Sequence, residues 1–240
     1  MVGSSFREGN LFGLETASPT SSFGTTVSSA GLTAARWISD LYQSNANIDP
    51  LAMSYALDAL YPVKDYVKQA ANLNMYFSQV LHGRTYSPTN ATLAQMLLGD
   101  LMFTCSGELT SSVISTIGTR NAYLYLFNHT PSNPVLALLG PTHTSEMPYV
   151  FGTFNEYAAE STGGTSTWKP TALEQTLSTQ IMDYWLDFAR YLTPNGPGSE
   201  APVWPHARCG ESNDFMVFGN NGSGERVWTA QIVWGCAVSM

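Results

Sequence analysis

Apolar residues recur at three- and four-residue steps through residues 32–43 and 51–60, the spacing that lines one face of a helix, and Tyr61-Pro62 closes the second of these runs. Residues 66–81 continue as a mixed helical region. In residues 92–105, Leu93, Met96, Leu97 and Leu101 fall on one helical face, and helix or turn resumes over residues 113–118. The clearest amphipathic pattern comes later: Leu173, Leu177, Ile181, Trp185, Phe188 and Leu192 keep close to a 3.6-residue period, and Pro194-Asn-Gly-Pro-Gly198 ends it. Trp185 and Phe188 on that face are core material rather than a ligand box.

Four stretches break the helical rhythm. Asn121-Ala-Tyr-Leu-Tyr-Leu-Phe127 is a continuous aromatic and aliphatic run between turn formers, which predicts a strand buried on both sides. Asp214-Phe-Met-Val-Phe218 predicts a second strand, followed by an Asn220-Asn-Gly-Ser-Gly224 turn and a final helix from Glu225. The Ser/Thr/Gly-rich residues 16–29 read as loop, as do residues 131–152, which are rich in Pro and Gly and allow at most a short helical turn. There is no internal repeat. The class is α/β, helix-rich with few strands, and the strands are too few to cover so many apolar helix faces, so the sheet is expected to be incomplete.

Composition narrows the function classes. An apolar share of 44% fits a folded domain, while the charged share of 12% is about half of the ~25% usual in globular proteins. A net charge of -8 with ten Lys and Arg leaves little basic surface for phosphates, so nucleic acid is a poor partner. No apolar run reaches the roughly 20 residues of a membrane span, and the opening Met1-Val-Gly-Ser-Ser-Phe-Arg-Glu8 is not a signal peptide. Cys105, Cys209 and Cys236 are widely spaced without a C-x-x-C pair, which points away from a zinc site and toward one disulfide plus a free thiol. No metal or cofactor is called for. Asn90, Asn128 and Asn221 head N-x-[ST] triplets and are glycosylation candidates if the chain is secreted.

Gly140-Pro-Thr-His143-Thr-Ser-Glu146-Met-Pro-Tyr-Val-Phe-Gly152 resembles the histidine loop of type-B carboxylesterases, the cholinesterase/lipase family, with an acid three residues after the His and an apolar-aromatic run ending in Phe-Gly. Leu177-Ser178, Met182, Trp185, Phe188-Ala189, Pro194-Asn195 and Trp204-Pro205 are similar to the same family's C-terminal helix and the turn beyond it. Gly3-Ser-Ser-Phe-Arg-Glu8-Gly9, with Phe12 after it, is similar to the segment that bears the family's catalytic acid. The resemblance implies an α/β-hydrolase fold, secretion, and hydrolysis of small-molecule or lipid esters through an acyl-enzyme. It makes His143 the general base and acid, Glu8 its orienting carboxylate and Glu146 a supporting acid that fixes the loop. It also pairs Cys105 with a cysteine near the C-terminus, Cys236 as first choice and Cys209 as second. Without that context Glu8 and Glu146 would read as ordinary solvated carboxylates, and His82, His129 and His206 as structural or surface residues.

The nucleophile is missing from the pattern. Such a serine belongs in a G-x-S-x-G elbow ahead of the acid, and the nearest match, Gly210-Glu-Ser212-Asn-Asp214, lacks the second glycine and follows the histidine. Residues 1–240 are therefore expected to be a partial carboxylesterase domain without its nucleophile half, Met1 being an internal methionine. The isolated chain should show little esterase activity and expose apolar surface prone to self-association. The competing expectations are a non-catalytic cholinesterase-like binding protein and a self-contained hydrolase using Ser212 or Ser145.

Overall fold

The computed structural model of the chain describes residues 1–8, 71–73, 75, 96, 99–117, 121–207, 215–219 and 224–227. The helices expected over residues 32–43 and 51–60 lie outside these residues. So do the loop 16–29, His82, Asn90, Cys209, Ser212, Asn221 and Cys236.

Among the described residues, four strands form one sheet in the order β1 (Val2–Ser5), β2 (Leu124–Asn128), β3 (Phe215–Gly219), β4 (Gly224–Val227). The first three are parallel and β4 turns back antiparallel along β3. Over Glu225–Val227 the helix expected from Glu225 is thus corrected to a strand, and the rest of that expected helix lies outside the described residues. The backbone groups of β4 find partners in β3, with Val227 opposite Phe215 and Gly224 opposite Phe218. The Asn-Gly-rich turn ahead of it was the hairpin signal, and four residues are too few for periodicity to tell helix from strand. β1 was not expected at all, because Val2–Ser5 carries only one large apolar side chain and owes its form to the ladder with β2.

Side chains of β2 and β3 alternate between two cores. Leu124, Leu126, Phe215 and Val217 join Ala122 and Ala207 on one face, with Val2 packed beside them. Tyr123, Phe127, Met216 and Phe218 face the other, against Tyr149, Trp168, Leu177, Ile181, Tyr184 and Trp204. This double burial explains why the sequence run lacked alternation: both sides of a parallel strand are covered by helices.

On the first face lies α1 (Cys105–Ile117), preceded by a single π-helical turn, Asp100–Thr104. It is one continuous element where the sequence pattern divided it into two. Gly107 lets α1 approach the sheet, since a Cβ there would stand 3.2 Å from a methyl of Val2. On the second face lie α2 (Met147–Phe151), α3 (Phe154–Ser161) and α4 (Ala172–Tyr191). The segment 131–152 therefore holds two short helical pieces rather than one at most, α2 and a 3-10 turn, Leu136–Leu138. Pro148 sits in the first turn of α2, where its missing N–H costs nothing.

The long helix α4 starts with a capping box. The Glu174 backbone N–H donates to the Thr171 hydroxyl while the Glu174 carboxylate accepts from the Thr171 N–H at 2.7 Å. The same buried carboxylate accepts from the Ser132 N–H at 2.8 Å and from the hydroxyls of Ser132 and Tyr149. Burial alone would raise its pKa, but these donors and His129 prevail and hold it well below the usual carboxylate range. Glu174 thus ties α4, α2 and the 131–152 loop together, and His129 is buried beside it, its Nε2 3.5 Å from Glu174 Oε1.

β1 approaches β2 at Gly3, directly opposite Tyr125. A Cβ at Gly3 would lie 2.2 Å from the Tyr125 ring, which in turn packs edge-on against Trp185 and Trp204. Gly3→Ala is expected to destabilise the fold by about 1–3 kcal/mol, the range for forcing an extra carbon into a packed site. Urea unfolding checks it: an unchanged midpoint would mean that Tyr125 swings aside freely.

Candidate functional site

Two loops leave the same end of the parallel pair and are joined just beyond it. The β1–β2 ladder ends with Ser5 opposite Phe127, and the Phe6 N–H donates to the Phe127 carbonyl at 2.9 Å. Arg7 then bridges to Thr142, its N–H donating to the Pro141 carbonyl at 2.8 Å. Glu8 and His143 are the next residue on each strand of this bridge. Gly140 permits it, adopting a φ of 68° in a place where a Cβ would stand 3.1 Å from the Arg7 side chain.

The two residues singled out from the sequence, 135 positions apart, meet there: Glu8 Oε2 lies 2.7 Å from His143 Nδ1. Glu8 is buried, and its other oxygen accepts a short hydrogen bond from the Ser5 N–H. With Glu8 ionised its carboxylate only accepts, so Nδ1 then carries the proton in this pair and Nε2 is the other ring nitrogen, the acceptor. Burial pushes the Glu8 carboxyl above its ordinary range, opposed by the Ser5 N–H and by His143, while the nearby Glu146 charge adds to the rise.

Glu146 takes its place through Ser5, whose hydroxyl donates to Glu146 Oε2 at 3.3 Å. Burial raises the Glu146 pKa as well. Ser5 therefore serves both carboxylates, one through its N–H and one through its Oγ, a role that sequence reading missed because nothing distinguishes one serine of Ser4-Ser5 from the other until the register is known. Ser4 donates or accepts at 3.2 Å with Thr104 of the π-helical turn.

Phe103, on that same turn, lies against the His143 ring with centroids 4.6 Å apart. The imidazole is held between Glu8 and this ring, yet keeps 35% of its side-chain surface exposed. A His ordered at Nδ1 and partly exposed can act as a general base toward a hydroxyl brought to Nε2. Of the serines considered as nucleophiles, Ser145 is 2% exposed. Among the described residues, no group of three or more His, Cys, Asp or Glu could hold a metal ion, and no helix is long and apolar enough to cross a membrane. Asn128 ends β2 opposite Gly219 and is half-buried, while His206 is exposed at the surface.

A mostly parallel sheet covered by helices on both faces, with an acid and a histidine on neighbouring loops beyond its strand ends, is the α/β-hydrolase arrangement. Residues 1–231 match the model of the carboxylesterase family, and the chain belongs to that family. Carboxylesterase 5A of Felis catus is 34% identical over 113 residues, which are 45% of this chain and 19% of the relative. Carboxylesterase 5A of Mus musculus is 32% identical over 148 residues, 56% of this chain and 23% of the relative. Cocaine esterase of Homo sapiens is 37% identical over 86 residues. The match to these relatives thus takes in less than a quarter of the two carboxylesterase 5A proteins. In fold, the chain resembles Aspergillus niger EstA with a TM-score of 0.60 and 19% identity, over 99% of this chain and 38% of that one.

Proposed function

We propose that residues 1–240 supply the acid and the histidine of an ester-hydrolysing Ser-His-Glu triad, Glu8 and His143, to a carboxylesterase domain whose nucleophile lies outside them. The Glu8–His143 hydrogen bond of 2.7 Å carries this reading. In the reaction, a serine hydroxyl delivered to His143 Nε2 attacks the ester carbonyl, His143 takes its proton and returns it to the leaving alcohol, and Glu8 holds the imidazole in the working tautomer and stabilises the imidazolium. Glu146, fastened by Ser5, fixes the turn after His143. Substrates are small-molecule or lipid esters, as family membership suggests.

The same reading places the protein outside the cell, where a disulfide persists. Cys105 is disulfide-bonded, and the family resemblance makes Cys236 its first partner choice and Cys209 the second. Exposed apolar side chains on α1, Leu109, Val113 and Ile117, are in keeping with association of the isolated chain. The purified 240-residue chain, treated with a fluorophosphonate probe and assayed on a short-chain p-nitrophenyl ester, is expected to give no adduct in its intact mass and no turnover above buffer. Stoichiometric labelling, with turnover abolished by His143→Ala, would sink the reading and place the nucleophile within these residues.

A further inference from the structure

Immediately after His143, the backbone of Thr144 adopts a φ of 67°. This is the left-handed region, which glycine occupies freely and which a β-branched residue avoids, by a population factor on the order of tenfold. Only Leu192, capping α4, joins it as a positive-φ residue other than glycine among the described residues. The strain therefore sits one bond from the imidazole-bearing residue. Two turns depend on it, the Ser145 N–H donating to the Thr142 carbonyl at 3.0 Å and the Met147 N–H to the Thr144 carbonyl at 3.0 Å. Such a conformation persists only where its surroundings hold it.

We propose that Thr144 and Tyr157 form a latch that locks this strained turn and thereby fixes His143 against Glu8, making Tyr157 a positioning residue for the site; the inference rests on the Glu8–His143 pair as read above. Thr144 Oγ1 lies 3.2 Å from the Tyr157 hydroxyl. That hydroxyl also interacts with Ser161, and burial pushes its pKa up, which keeps it a neutral O–H able to donate. The far side of the latch is firm. Tyr157 stands on α3, whose Phe154 and Ala158 are buried in the main core, and it packs against that core itself. Glycine at position 144 would adopt the turn without help. Threonine brings strain and, in the same side chain, the hydroxyl that offsets it by binding to a rigid helix.

The latch is tested on the whole chain through the His143 Nδ1 proton, read as a downfield signal in 15N-His-labelled protein and assigned by its loss in His143→Ala. Glu8→Gln is expected to shift or remove that signal. Tyr157→Phe and Thr144→Val are each expected to raise its exchange with solvent about tenfold, Thr144→Ser to keep the original rate, and Tyr157→Phe in the T144G background to change it less than twofold, because the strain is gone. If Tyr157→Phe and Thr144→Val, both retaining the dispersed spectrum of the fold, leave exchange unchanged while Glu8→Gln moves the signal, the latch is overturned and the pair stands. A signal indifferent to Glu8→Gln overturns the pair itself, and the latch with it. Should Tyr157→Phe fail to fold, Thr144→Val against Thr144→Ser decides alone: equal rates refute the latch, and a tenfold difference supports it.

Discussion

Replacing His143 by alanine is expected to lower kcat by about 10^4- to 10^6-fold in an active esterase that contains residues 1–240, with KM little changed. The size follows from the roles of the pair. With Nδ1 at 2.7 Å from Glu8, the proposed roles have one imidazole take the proton of the attacking hydroxyl and hand it to the leaving alcohol. No other described side chain stands in the same place, since Glu8 is buried behind the ring and Glu146 is engaged by Ser5. The assay calls for a nucleophile-bearing segment joined ahead of β1, which among the described residues pairs with β2 alone. Steady-state kinetics on a p-nitrophenyl ester then decide. A loss below tenfold would mean that His143 does not transfer the proton, and that the hydrogen bond to Glu8 serves structure.

Trp204→Ala is expected to destabilise the fold by about 3–5 kcal/mol, the range for emptying a large aromatic from a core. Trp204 is 1% exposed, and its ring meets Tyr184 at 5.4 Å, Phe218 at 5.6 Å and Trp185 at 5.9 Å between centroids. Its indole N–H donates to the Leu124 carbonyl at 2.9 Å, and its backbone exchanges two hydrogen bonds with the Asn195 side chain. One residue thus joins β2, α4 and the turn after α4. For a chain of this size each kcal/mol moves the midpoint by roughly 2–4 °C, so a fall of about 6–20 °C is anticipated. Thermal unfolding by near-UV circular dichroism measures it. A shift of under about 2 °C would show that the neighbouring aromatics close the gap.

These two residues stand on different footing in the sequence. His143 was legible because the resemblance is local: a run of thirteen residues from Gly140 to Gly152 carries it, independent of what lies around. Trp204-Pro205 marked a turn, but nothing in the run showed that the indole crosses to the β2 backbone, 80 positions away. Tyr125 and Gly3 make the same point. Each is unremarked alone, and their close fit exists only in the β1–β2 register.

Sequence by itself determined the α/β class, the buried strand around residues 121–127, the amphipathic α4 with its stop, and the two residues, Glu8 and His143, that meet in the candidate site, all of which rest on local periodicity or on contiguous motifs. The tertiary structure decided what depends on pairing partners. It made Val2–Ser5 a strand although its own residues scarcely favour one, and turned Gly224–Val227 into a strand along β3 where a helix was expected from Glu225. It gave Ser5 two carboxylates to hold, and it held Thr144 in a left-handed turn that its own preference opposes. Local preference is worth about a kcal/mol or less per residue, and at these positions ladder hydrogen bonds and packing from distant segments outweigh it.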